Sequence, residues 1–254
     1  MIQAGLIGTP LGHSASAAYF AQHHPDCCYR AHEMVSLEGL RQWVEEERLD
    51  GFNVTIPYKR AIIEHLDAVD DTARRIGAVN CVRVQRKEGR TILTGYNTDY
   101  QAFAETLQPM LQPWHRRALV LGTGGAAQAV GFALQKLGID HTFVSRTPKA
   151  HPKAIGYDQL PSLLLPTNPS TLQPTIIINA TPVGMWPNTA ASPMPDIQGI
   201  GPQHLCYDLI YNPEKTRWLH EATQRGATTC NGTAMLHRQA DFSLERWRQT
   251  DFKE

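Results

Sequence analysis

Cysteine is scarce in this sequence, with five residues in 254, and no two of them stand as CxxC. Cys27 and Cys28 are adjacent, while Cys81, Cys206 and Cys230 are isolated. Neither a zinc site nor a disulfide framework is expected from that spacing, so no metal is assigned, and reduced thiols suit a cytoplasmic protein. A surplus of charge is also missing: 24 Lys and Arg balance 24 Asp and Glu. No net field draws the chain to nucleic acid or to an anionic membrane, and neither partner is expected. No run approaches the ~18–20 apolar residues of a membrane helix. The opening Met-Ile-Gln-Ala-Gly-Leu-Ile-Gly lacks a basic start and is not read as a signal peptide. What is present is 42% apolar and 19% charged residues, an ordinary globular balance over a length that allows one large or two modest domains.

Short β-branched runs alternate with helical patterns. Strands are expected at 2–8, 29–34, 51–55, 79–84, 91–94, 118–122, 141–144, 175–180, 205–210 and 227–230. Helices are expected at 14–23, 37–47, 58–66, 99–111, 124–137 and 213–225, with a last one from about 232 to 248. Such alternation predicts βαβ units, mostly parallel sheets and ligands at the C-terminal ends of the strands. Gln112-Pro113-Trp114-His115 precedes a fresh strand, so the helix 99–111 should carry the chain from a first α/β domain into a second. The stretch 148–174, rich in Pro, Ser and Thr, reads mostly as loop.

The second half opens on Ala118-Leu-Val-Leu, then Gly122-Thr123-Gly124-Gly125-Ala126-Ala127. Residues with little or no side chain let a backbone approach a pyrophosphate, and the free N–H groups of a helix start attract it. The spacing departs from G-x-G-x-x-G, with Ala127 in the third glycine's place. A strand before and an amphipathic helix after favour a dinucleotide site over an ordinary βα turn. The next strand ends at Ser145-Arg146-Thr147, where an NAD site would carry an acid for the ribose. A guanidinium there pairs with a 2′-phosphate, which favours NADP; the other reading of Arg146 is a solvated surface side chain.

Four polar islands follow strand-like runs in the first half. Ser14 and Ser16, in Gly12-His13-Ser14-Ala15-Ser16, are hydroxyl donors for a carboxylate or else helix caps. Lys59 ends Asn53-Val-Thr55-Ile-Pro57-Tyr-Lys59, near a helix start where the dipole disfavours a cation; it is either functional or an exposed lysine. Asn80, closing Ala78-Val79-Asn80, is a turn residue or a ligand donor. Asn97-Thr98-Asp99 looks like an N-cap, and Asp99 is as readily a cap as a catalyst on these grounds.

Taken together and in order, these strings resemble the shikimate dehydrogenase family nearly end to end. They are His13-Ser14-Ala15-Ser16, Asn53 to Lys59, Gly77-Ala78-Val79-Asn80, Gly95-Tyr96-Asn97-Thr98-Asp99 and Gly122 to Ala126. Ser145-Arg146-Thr147, Asn179-Ala-Thr181-Pro-Val-Gly-Met185, Tyr207-Asp208-Leu209-Ile-Tyr211 and Gly232-Thr-Ala-Met-Leu236 complete the nine. Departures are Ala15 and Ala17 where Lys and Pro are frequent, Ser145 for Asn, Asn231 for Asp, and His237 and Arg238 for apolar or small residues.

The resemblance implies two α/β domains: an N-terminal substrate domain with a mostly parallel sheet, and a Rossmann-like NADP-binding domain, with the active site in the cleft between them. It places the substrate domain at 1–99 plus 232–254, the last helix returning to it, and the NADP domain at 100–231. By position, Ser14, Ser16, Thr55, Lys59, Asn80, Asp99, Tyr211 and Gln239 match the family's substrate residues. Lys59 matches the main catalytic residue and Asp99 its partner. Asp71, Gly122, Thr123, Gly124, Gly125, Ala126, Ser145, Arg146, Thr147, Thr181, Leu209 and Gly232 match its cofactor contacts. The implied reaction is the reversible NADPH-dependent reduction of 3-dehydroshikimate to shikimate on the way to chorismate and the aromatic amino acids. The implied protein is a cytoplasmic monomer or homodimer whose partner is a small-molecule substrate. A quinate or aminoshikimate dehydrogenase is the near alternative, and a non-catalytic metabolite-sensing domain the distant one.

Overall fold

A computed structural model describes residues 1–11, 15–164, 175–194 and 196–249. The chain divides into two compact units, 1–102 with 237–254 and 103–236. Both boundaries fall inside helices, three and five residues beyond the expected 99 and 231.

The first unit holds β1 (Ile2–Gly8), α1 (Ala15–His23), β2 (Cys27–Glu33), α2 (Leu40–Glu46), β3 (Gly51–Val54) and β4 (Ala68–Val69). It continues with α3 (Asp71–Ile76), β5 (Cys81–Lys87), β6 (Arg90–Tyr96) and the start of α4 (Asp99–Leu107). Its six strands run in the order β2-β1-β3-β5-β6-β4. Only β5 opposes the others, because it pairs antiparallel with both β3 and β6. One face packs Ile7, Trp43, Val44, Phe52, Ile62 and Leu93 into a core.

In the second unit, β7 (Arg117–Leu121), α5 (Gly125–Lys136), β8 (Asp140–Val144) and β9 (Ala154–Ile155) form the first half. α6 (Leu160–Leu164), β10 (Ile176–Asn179), β11 (Leu205–Asp208), α7 (Arg217–Gln224) and β12 (Thr228–Cys230) follow, and then α8 (Thr233–Arg248) begins. All pairings in this sheet are parallel, in the order β12-β11-β10-β7-β8-β9. Counted from β7 this is the doubly wound order of dinucleotide-binding domains, with the switch point between β7 and β10. The rest of α8 packs on the first unit, where Ala240, Leu244 and Trp247 cluster with Ala4, Phe20, Cys27 and Cys81. The Trp247 indole N–H also donates to Val82 O at 3.0 Å.

Several expectations are corrected. The helix at 58–66 is a run of turns ending in a 3₁₀ helix, Ala61–His65. An α-helix needs Lys59 O to accept Ile63 N–H, but Val79 N–H takes that carbonyl at 2.7 Å and Ile63 bonds to Arg60 O. The dipole argument for Lys59 therefore falls away. α3 is an additional helix, with Asp70 accepting from Thr72 and Ala73 N–H at its start and Gly77 left-handed at its end. In the described part of the stretch 148–174, where loop was expected, there are two 3₁₀ turns, β9 and α6, and 165–174 lie outside the described residues. The helix 99–111 stops at Leu107 and tightens to a 3₁₀ turn over Gln108–Met110, since Pro109 has no N–H to continue the ladder. No helix among the described residues is long and apolar enough to cross a membrane. Burial pushes the Cys27, Cys81 and Cys206 thiols up to about 12, so they stay protonated.

Candidate active site

β3 ends at Val54 and the chain turns at once, with Thr55 N–H on Ile7 O at 2.9 Å and Tyr58 N–H on Thr55 O at 2.9 Å. Lys59 is thereby set beside the start of α4, and its carbonyl is fastened to Val79. Its ammonium donates to Asp99 Oδ2 at 2.6 Å, with side-chain exposures of 17% and 7% for the two groups. This is a largely buried, charge-assisted pair.

The cap of α4 is supplied by Asn97, whose Oδ1 accepts Tyr100 N–H at 3.2 Å and whose amide donates to Ala78 O. Asp99 is therefore released from capping, and its carboxylate turns to Lys59 and Asn80. The Asn80 amide donates to Asp99 Oδ1 and to Thr98 Oγ1, both at 2.9 Å, with Gln239 Oε1 at 3.4 Å. Asn80 Oδ1 accepts Thr98 N–H at 2.6 Å. Two N–H groups thus face three acceptors, and Gln239 is the outlying one.

Behind this row lies a second one that motif reading did not reach. Asn53 donates to Ser243 Oγ at 2.8 Å and to Asn80 O at 3.0 Å, and accepts from the Tyr29 hydroxyl at 2.9 Å. Thr98 donates to Gln239 O at 3.1 Å, and Ser243 to the same oxygen at 2.7 Å. α8 is thus hydrogen-bonded to the Lys59, Asp99 and Asn80 group through Gln239 and Ser243. The family departures beside Gln239 have partners: His237 stacks on Tyr19 at 4.2 Å, and Arg238 pairs with Asp241 at 3.2 Å.

Lys59, Asn80, Asp99 and Gln239 therefore meet in the first unit. Thr55 stands at the end of β3 against Gly8, where an added Cβ would lie 2.5 Å from Thr55 Cγ2. Ser16 is buried in the first turn of α1. Ser14 lies outside the described residues, as do Gly12 and His13. Asp71 is exposed at the start of α3. Tyr211 belongs to the second unit, and burial raises its phenol.

In the second unit the glycine turn lies at the sheet's switch point. Gly122 is left-handed, φ 105°, and a Cβ there would meet Thr181 Cγ2 at 3.0 Å and Ala180 O at 3.2 Å. Gly124 precedes α5 without a side-chain cap, and nothing lies within 4 Å of the space its Cβ would take. Open space before uncapped helix N–H groups, flanked by Thr123, Gly125 and Ala126, fits a pyrophosphate. Beyond β8, Ser145 Oγ accepts Thr147 N–H at 3.1 Å, leaving Arg146 exposed between them. Its guanidinium is near enough to Tyr157 to oppose the rise that burial gives that phenol.

Asn179 and Asp208 lie side by side in register with Leu121 at the ends of their strands. Asn179 Oδ1 accepts both the N–H of Thr181 at 3.0 Å and its hydroxyl at 2.6 Å. Leu209 O lies 2.0 Å from the position a Gly232 Cβ would take, so that residue has to be glycine. Among the described residues, no cluster of three or more His, Cys, Asp or Glu side chains is arranged to hold a metal.

Residues 6–82 match the model of the shikimate dehydrogenase substrate binding domain. Over 258 aligned residues the chain is 39% identical to the shikimate dehydrogenase (NADP(+)) of Shouchella clausii, covering 96% of this chain and 92% of that protein. The chain belongs to the shikimate dehydrogenase family. Its structure also resembles that of shikimate 5-dehydrogenase from Thermus thermophilus in complex with NADP(H) and shikimate. The TM-score is 0.82 at 33% identity, over 98% of this chain and 94% of that one. A chorismate mutase/shikimate 5-dehydrogenase fusion protein from Clostridium acetobutylicum gives a TM-score of 0.82 at 33% identity, covering 99% and 93%.

Proposed function

We propose that this chain catalyses the reversible NADPH-dependent reduction of 3-dehydroshikimate to shikimate. The observation that carries this reading is the 2.6 Å Lys59–Asp99 pair with Asn80 on the second carboxylate oxygen, in a chain whose relatives are named for that activity. NADPH, held by the glycine turn and Ser145, Arg146 and Thr147, supplies a hydride to the ring ketone carbon. Lys59 donates a proton to the ketone oxygen, and its charge stabilises that oxygen as it becomes negative. In the reverse direction neutral Lys59 accepts the hydroxyl proton. Asp99 orients the ammonium and accepts from a ring hydroxyl. Asn80 and Gln239 offer carboxamides to the remaining hydroxyls. Ser14 and Ser16 hold the ring carboxylate, with Thr55 and Tyr211 completing the substrate set.

The intact Lys59–Asp99 pair favours an enzyme over a metabolite sensor. Mixing purified protein with NADPH and 3-dehydroshikimate tests this. The near-ultraviolet absorbance of NADPH should fall catalytically, and an absorbance that stays constant would leave only a sensor. Balanced charge supports a protein without nucleic-acid partners, and we further propose that it acts in the cytoplasm as a monomer or homodimer.

Two substitutions separate the roles. Arg146→Ala removes a charge-assisted contact to the 2′-phosphate, so KM for NADP should rise roughly tenfold to a hundredfold. KM for NAD should hardly move, and equal changes for both cofactors would contradict the assignment. Ser16→Ala removes a contact present in ground and transition states alike. KM for shikimate should therefore rise more than kcat falls; a collapse of kcat at unchanged KM would give the serine another role.

A further inference from the structure

Asp208 takes no part in the chemistry above, yet it is fully buried at the end of β11. All three of its donors are neutral. The Asn179 amide and Ile210 N–H each reach Oδ1 at 3.0 Å, and the Thr216 hydroxyl reaches Oδ2 at 2.8 Å. Burial pushes this carboxyl up to about 6, against the pull of those three hydrogen bonds. Three donors on its two oxygens hold the group as an accepting carboxylate in the interior.

What that charge does follows from its chemistry. A carboxylate only accepts. It therefore forces the amide of Asn179 inward and its oxygen outward, resolving an orientation that two facing amides would leave open. The outward oxygen then holds Thr181 by its N–H and its hydroxyl, and Thr181 Oγ1 in turn accepts Val183 N–H at 3.2 Å. A second arm runs through Ile210, whose N–H is on the carboxylate and whose carbonyl accepts Gly232 N–H at 3.0 Å. A third fixes Thr216, the N-cap of α7.

We propose that Asp208 is a positioning residue of the NADP site, aiming the Thr181 hydroxyl through Asn179 and setting the backbone at 209–211 against Gly232. The proposal rests on the reading above, in which Thr181, Leu209 and Gly232 face the cofactor. Asp208→Ala should raise both the Kd for NADPH, by fluorescence titration, and its KM about tenfold, the effect of mis-aiming one hydrogen bond to the cofactor. KM for 3-dehydroshikimate should stay within about twofold. Asp208→Asn, nearly isosteric, sets two amides face to face and should weaken NADPH binding about as much as Asp208→Ala while leaving KM for 3-dehydroshikimate in place, a split that bulk destabilisation would not show. In a Thr181→Ala background the Asp208→Ala change should raise Kd by less than it does alone.

Asn179→Ala, which leaves the carboxylate in place and cuts the bridge, should reproduce the NADPH defect and serves if Asp208→Ala does not fold. Wild-type protein that binds NADPH, with Asp208→Asn and Asn179→Ala both binding it equally well, overturns the positioning role alone. Wild-type protein that fails to bind NADPH overturns the functional reading and this proposal with it.

Discussion

Lys59→Ala is expected to lower kcat by roughly a hundredfold to ten-thousandfold, the scale of general acid–base catalysis, with only a modest change in KM for 3-dehydroshikimate. In the proposed reaction the ketone oxygen gains negative charge as the hydride arrives, and Lys59, held at the Asp99 and Asn80 row, is the cation proposed to meet it. Its contact with the substrate strengthens most in the transition state, so its loss falls on kcat. Alanine also leaves Asp99 buried without its cation, which costs stability, so the melting temperature of the variant has to be recorded beside the rates. Lys59→Met, which keeps the aliphatic stem, separates packing from chemistry. A Lys59→Ala enzyme within threefold of wild-type kcat would transfer the proton donation to Asp99 or a bound water.

Asp99→Asn is expected to damage kcat and KM together, lowering kcat/KM roughly tenfold to a hundredfold or more, since a hydrogen bond to a charged group is worth about 1.5–3 kcal/mol. The asparagine retains one oxygen for the Asn80 amide, so the fold behind it is preserved. What goes is the charge at 2.6 Å from Lys59 Nζ, and with it both the orientation of the ammonium and an acceptor for a ring hydroxyl. An effect confined to KM would reduce Asp99 to a substrate contact. An effect on neither would return it to the helix-cap reading, which already has its cap in Asn97.

The parts of this arrangement that were legible in the sequence are those written in consecutive residues. The strand, glycine turn and helix from Arg117 to Lys136 follow from local pattern, because tight turn, backbone approach and helix start are all properties of neighbouring positions. The parts that needed the fold are long-range. Asn53 meets Ser243 across 190 residues, and Thr98 meets Gln239 across 141. Nothing in a serine at 243 on a helix announces that it backs the Lys59, Asp99 and Asn80 row. The helix expected at 58–66 failed for the same kind of reason, since the carbonyl it required is taken by Val79, which no local window includes. α3 is the opposite case: Asp70, Arg74, Arg75 and Gly77 are start and stop signals in plain view, but the six residues they bound are short for a helix. Asp208 stands inside a family string, yet its place beside Asn179 depends on the pairing of β10 with β11.

Initial rates of purified protein with shikimate and with quinate, each with NADP and with NAD, test the assignment most directly. A shikimate dehydrogenase with Arg146 at its ribose site should turn over shikimate with NADP fastest. Exchanging NADP for NAD should lower kcat/KM roughly tenfold to a hundredfold, and quinate should be the poorer substrate with either cofactor. Faster turnover of quinate than of shikimate, or no turnover of either, would contradict it.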